Sequence, residues 1–114
     1  MAQNGLRGPF VLSDRVIDQE VSHICPGAYV LEDSSDLVHF QTVYVGRSDT
    51  DVNNQLHVHV GLYKRFSYQC CASAQAAFEK ECALFHDFDP RDNPIHPQRP
   101  AQTHWECPRC SLFG

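Results

Sequence analysis

Two stretches rich in branched and aromatic side chains, Ala28 to Glu32 and about Val38 to Val45, read as strands. The polar turn Asp33-Ser34-Ser35-Asp36 between them folds the pair into an antiparallel hairpin. From Asp51 onward the pattern supports two readings. Val52, Leu56, Val60 and Tyr63 recur near helical spacing, while Leu56-His57-Val58-His59-Val60 alternates as a strand does. Gly61 suits a helix end, and Phe66 to Cys70 forms the next strand. Ser73 then caps a helix from Ala74 to about Phe88, with Phe78, Phe85 and Phe88 offered to a core and Asp89-Pro90 stopping the run. Upstream, Val16, Ile17 and Val21 can pack an extra strand or short helix. The expected fold class is α+β: a ββαβα core with a three-stranded antiparallel sheet flanked by helices.

A chain of 114 residues has room for one domain with one modest core. Its formal net charge of −5 disfavours a protein that coats nucleic acid without specificity, since such binding draws on many Lys and Arg, but leaves room for a local basic groove. Met1 to Leu12 is too polar and Gly-rich for a signal peptide, and no apolar run approaches membrane-spanning length. The expectation is a cytoplasmic protein with no membrane partner. Internal repeats, coiled-coil heptads and a phosphate-cradling Gly-rich loop are all missing, which removes several further classes.

The cysteines point to metal by their arrangement. Cys82 and His86, at i and i+4 in a helical stretch, share one face a turn apart, and Cys107-Pro108-Arg109-Cys110 supplies a C-x2-C knuckle. Two thiolates from the knuckle and a helical Cys/His pair make a tetrahedral set of the kind zinc prefers. Between the two pairs, Asp89 to His104 holds four prolines and no periodicity. A loop of that length in a compact domain calls for tethering, which structural zinc supplies. His96 and His104 are substitute ligands, and Cys25, Cys70 and Cys71 are assigned structural places. The other reading makes Cys82 a buried small hydrophobe, His86 a surface histidine and Cys107/Cys110 a reduced pair near a frayed end.

Gly27-Ala28-Tyr29 and Tyr44-Val45-Gly46 sit at the two ends of the hairpin, followed by Arg47, His59, Ala77-Phe78-Glu79-Lys80-Glu81 and Pro90. In order and spacing over roughly residues 25 to 93 this resembles the GIY-YIG nuclease superfamily. The resemblance implies that Tyr29 and Tyr44 line a site where one of them helps to deprotonate the attacking water, and that Glu81 holds one Mg²⁺ or Mn²⁺. Glu81 is preferred to Glu79 because Leu84 and Phe85 follow it as the family's apolar pair does, with Pro90 in register. Asn93 falls where the family often has an asparagine. His59 falls where it frequently has a histidine. Residues 1–24 then form an extension, 25–93 the nuclease domain and 94–114 a zinc-bound tail packed on it. Ordinary roles exist for each residue alone: tyrosines pack well in half-buried hairpins, and a helix glutamate is commonly a solvated charge.

The chain departs from the family at Gln55, which stands before Leu56 where an arginine is expected; an amide cannot stabilise developing negative charge as a guanidinium does. Arg47 can reach the same phosphate from another direction. The functional expectation is a metal-dependent endonuclease acting on DNA or structured nucleic acid, with Tyr29, Tyr44, Arg47, His59 and Glu81 in the site. The alternative is a weak or inactive nucleic-acid-binding or adaptor module. A third reading makes His57-Val58-His59 a strand-borne ligand pair of a small-molecule metalloenzyme, which requires a strand there. A protein partner or homodimer is plausible for so small a reading surface.

Overall fold

The computed structural model describes residues 5–34, 36 and 38–113. Seven elements follow one another: β1 (Arg7–Val11), α1 (Asp14–Glu20), β2 (Gly27–Asp33), β3 (Gln41–Ser48), α2 (Val52–His57), β4 (Arg65–Cys70) and α3 (Ala74–Phe88). The sheet is antiparallel with strand order β1-β4-β2-β3. It has four strands where the sequence predicted three. The added strand, β1, is five residues long and its register shifts between Arg7 and Phe10, so it shows no clean alternation from which to read it. Its successor α1 is capped by Ser13, whose hydroxyl accepts from the Val16 N–H. The turn expected at Asp33 to Asp36 includes Ser35, which lies outside the described residues, and β3 starts at Gln41 rather than near Val38.

Each face of the sheet carries its own core. Tyr29, Leu31, Phe66 and Tyr68 point to the side covered by α1 and α2, where they meet Ile17, Val52 and Leu56. Ala28, Val30 and Val45 point to the other side and meet Leu84 of α3. Burying a side chain of this size contributes about 1.5 to 3 kcal/mol, so the sheet is held from both sides. Ser73 caps α3 by accepting from the Ala76 N–H, as its position predicts, and Asp89 ends the helix in the left-handed region at φ 46°.

The segment after α3 returns along the outer side of β3. The Asp92 N–H donates to the Val43 carbonyl. The Asn93 side chain bonds Val45 twice, accepting from its N–H and donating to its carbonyl. Cys25 and Cys70, both expected to be structural, form a disulfide with each other. Cys70 lies opposite Gly27 in the β2–β4 register, which brings the two cysteines together. A crosslink closing 45 residues of sequence is worth about 4 kcal/mol in the loop-closure picture. Cys71, Cys82, Cys107 and Cys110 are free thiols. Among the described residues no helix is long and apolar enough to cross a membrane.

The ambiguous stretch after Asp51 is helical up to His57, and this removes the strand that the His57/His59 metalloenzyme reading requires. The two imidazoles also have unrelated partners. His57 clamps α2 to α1 by donating from Nδ1 to Asp14, at 2.6 Å, and from Nε2 to Asp18, at 2.8 Å. Both nitrogens are donors, so the clamp needs the imidazolium, and its hydrogen bond to Asp14 raises the His57 pKa above 6.5. The stabilisation is therefore complete below pH 6.5 and disappears as pH rises through the folded-state pKa. Thermal melts across that window should show the wild-type Tm falling with rising pH, with a shallower fall in His57→Gln. Identical slopes in the two proteins would rule the clamp out.

Candidate functional site

Tyr29 of β2 stands directly opposite Gly46 of β3, and Tyr44 stands opposite Leu31, so both phenols lie on the α1/α2 side of the sheet. Tyr29 lays its ring over Gly46. A Cβ at that position would lie 2.5 Å from both Cζ and Oη of the ring. Gly46 is not among the left-handed glycines, so the missing side chain serves space and not backbone conformation. The Tyr29 and Tyr44 rings stack at 6.3 Å with planes 15° apart.

His59, in the turn after α2, completes this aromatic group. Tyr29 is 1% exposed and its hydroxyl lies 2.9 Å from His59 Nε2. Burial lowers the His59 pKa, which favours a neutral ring able to accept the phenol proton. Burial also drives the Tyr29 pKa far up, with the Tyr44 phenol and the Glu81 carboxylate adding to the rise. Tyr44 is half-buried and shifts up for the same reasons, burial first and Glu81 second. Its ring packs on His59 at 4.8 Å and on Tyr63 at 5.9 Å.

Beside this group lies a cleft of about 330 Å³ lined by Arg47, Ser48, Asp49, Gln55, Glu81 and Gln98. Helix α3 packs on the face of the sheet opposite the tyrosines. Its Glu81 nevertheless shares the cleft with Gln55 of α2, and it acts electrostatically on both phenols. Glu81 is buried, not a solvated helix charge, whereas Glu79 bonds Gln75 at an exposed site. The Arg47 guanidinium organises the cleft. It donates from Nη1 to Glu81 at 2.6 Å, from Nε to Asp49 at 2.8 Å and from Nη2 to the Gln98 carbonyl at 3.0 Å, with the Phe78 ring 5.1 Å away. Burial pushes the Glu81 carboxyl up, against the pull of Arg47.

No family model, curated protein or solved structure matches this chain. The functional reading of the cleft therefore rests on its residues alone. One guanidinium against two carboxylates gives the cleft a net negative charge, which repels a bare phosphate and favours a divalent cation.

A second cluster lies where α3 meets the carboxy-terminal segment. The ligand atoms of His86, His96, Cys107 and Cys110 fall within 4.8 Å of one another. The sequence put Cys82 in this set, and the structure puts His96 in its place. Cys82 is fully buried beside Phe78 and is not one of the four converging residues. His104 is not part of the cluster.

Sequence reading missed Asp49, Gln98 and Tyr63. Asp49 follows Arg47 by two residues, and that spacing was the one available signal for it. Gln98 takes part through its backbone carbonyl, for which side-chain identity carries no signal. Tyr63 is fixed by Asp92, whose carboxylate accepts from its hydroxyl at 3.0 Å, a pairing across distant segments.

Proposed function

We propose that the chain is a metal-dependent endonuclease of the GIY-YIG type, hydrolysing phosphodiester bonds in DNA or structured nucleic acid. The observation carrying this reading is that Glu81 and Asp49, joined through Arg47, line one cleft beside the Tyr29–His59 and Tyr44 aromatic group. Glu81, with Asp49 beside it, would hold one Mg²⁺ or Mn²⁺, hard ions that take carboxylate oxygens and keep several waters. When bound, the ion would supply Lewis-acid stabilisation of the phosphate oxygens.

The two tyrosines divide the work by exposure. Tyr29 is sealed from solvent and is a positioning residue, bonded to His59 and seated on Gly46. Tyr44, only half-buried, is the phenol that would meet an attacking water. Its oxygen would take the water proton while its own proton passes to solvent, as the new P–O bond forms and the bond to the leaving oxygen breaks, the leaving oxygen taking up a proton from solvent. Arg47 exchanges its Gln98 contact for a phosphate oxygen as the substrate enters. A cytoplasmic setting belongs to the same proposal. It keeps Cys107 and Cys110 reduced.

The second reading, a binding or adaptor module, draws on one observation: the cleft offers the Gln55 amide where a nuclease of this type has arginine. Cleavage of plasmid, single-stranded and branched DNA with Mg²⁺ or Mn²⁺ separates the two. Wild type should turn over slowly, and Gln55→Arg should raise the rate by about 10² if the new guanidinium reaches the phosphate. Binding without cleavage in both proteins, under either metal, would establish the adaptor. If neither protein binds, both readings fall.

A further inference from the structure

The group formed by His86 of α3 with His96, Cys107 and Cys110 of the following segment is separate from the cleft, and its atoms are arranged as ligands. The Cys110 Sγ to His96 Nε2 distance is 3.4 Å. Zinc–sulfur and zinc–nitrogen bonds of ordinary length meeting at a tetrahedral angle give an edge of about 3.5 Å.

The surroundings prepare each donor atom. His96 Nδ1 donates to the Pro97 carbonyl at 2.9 Å, which fixes the tautomer that leaves Nε2 free to bind metal. His86 Nε2 is buried with no hydrogen-bond partner, a costly state for an imidazole nitrogen unless something accepts its lone pair. The Cys107 sulfur accepts from the Arg109 N–H at 3.4 Å, and Cys82 is wholly buried in the same apolar cluster with Phe78. Cys82 packs beside the cluster but lies outside the four residues whose ligand atoms converge.

We infer that His86, His96, Cys107 and Cys110 bind one Zn²⁺ in a closed structural site, with Cys82 outside the coordination sphere. Two nitrogens and two sulfurs fill a tetrahedron and leave no position for water, so the ion pins the proline-rich segment to α3 and takes no part in chemistry. A donor set with two thiolates selects zinc over magnesium or calcium, which take oxygen ligands.

Metal analysis of the full chain, purified under reducing conditions, should find close to one zinc per protein. His96→Ala should lower this below half, while Cys82→Ser should retain it. Cobalt substituted into the wild-type protein should show the charge-transfer intensity of two cobalt–thiolate bonds and not three, a readout that holds even if Cys82→Ser fails to fold. The inference is overturned by less than half an equivalent of zinc in the reduced wild type, by a Cys107–Cys110 disulfide in its place, or by a three-thiolate cobalt spectrum. Zinc lost in folded Cys82→Ser but kept in His96→Ala would overturn it equally.

Discussion

Glu81→Gln is expected to lower divalent-metal-dependent cleavage by at least about 10²-fold while the protein stays folded. Glutamine keeps the volume of the side chain and an oxygen to accept the Arg47 Nη1 hydrogen bond, but removes the charge that would draw the proposed divalent ion into the cleft. Alanine is the poorer probe. Arg47 and Glu81 have side chains only 14% and 12% exposed, and removing one member of such a pair leaves the other charge poorly solvated. For buried pairs that costs about 3 to 5 kcal/mol, enough to confound lost chemistry with lost structure. In Glu81→Gln the guanidinium keeps Asp49 and Gln98, and exchanging a charge-assisted hydrogen bond for a neutral one costs about 1 kcal/mol. The check is a cleavage time course with Mn²⁺ beside a thermal melt. Undiminished cleavage in the folded variant would remove Glu81 from the site.

Gly46→Ala is expected to destabilise the hairpin strongly. The new carbon would be driven into the Tyr29 ring, which has Leu31, Val52 and Leu56 in the same core cluster and is tied to His59 at its hydroxyl. Overpacking of a filled core costs about 1 to 3 kcal/mol, and this contact lies at the upper end because a rigid ring, not a flexible chain end, must move. In a domain of this size about 3 kcal/mol lowers Tm by roughly 10 to 20 °C. Tyr29→Leu shortens the obstructing side chain, so the double variant should be less destabilised than the two single losses summed. Strict additivity in thermal melts, or a Gly46→Ala protein as stable as wild type, would show that the ring does not lie where described.

What could be read from the chain followed how local each signal is. The β2–β3 hairpin and α3 were legible because their patterns and caps lie within a few residues: Ser73 before the helix, Asp89-Pro90 after it. β1 was not, because a short edge strand with an irregular register has no period to detect. The Cys25–Cys70 bridge depends on β4 pairing with β2, a choice of neighbour that no local pattern encodes. The metal-type cluster was legible in two halves, the helical His86 and the Cys107/Cys110 knuckle. His96 was legible only as a substitute, since a helical Cys at i−4 from a histidine looks like the better ligand until its burial is known. In the cleft, side-chain motifs pointed to Arg47 and Glu81, while the contact that closes over Arg47 comes from a backbone carbonyl.

The doubly bonded Asn93 amide has a consequence for how copies of this protein behave towards one another. β3 ends the sheet, and an outermost strand with open N–H and C=O groups is a template for another chain to pair with. At Val45 both of those groups are taken by one side chain, and the Asp92 N–H takes the Val43 carbonyl two residues earlier. The amide thus stands in for a neighbouring strand without being one, which ends the ladder there and keeps crowded molecules from growing into one continuous sheet.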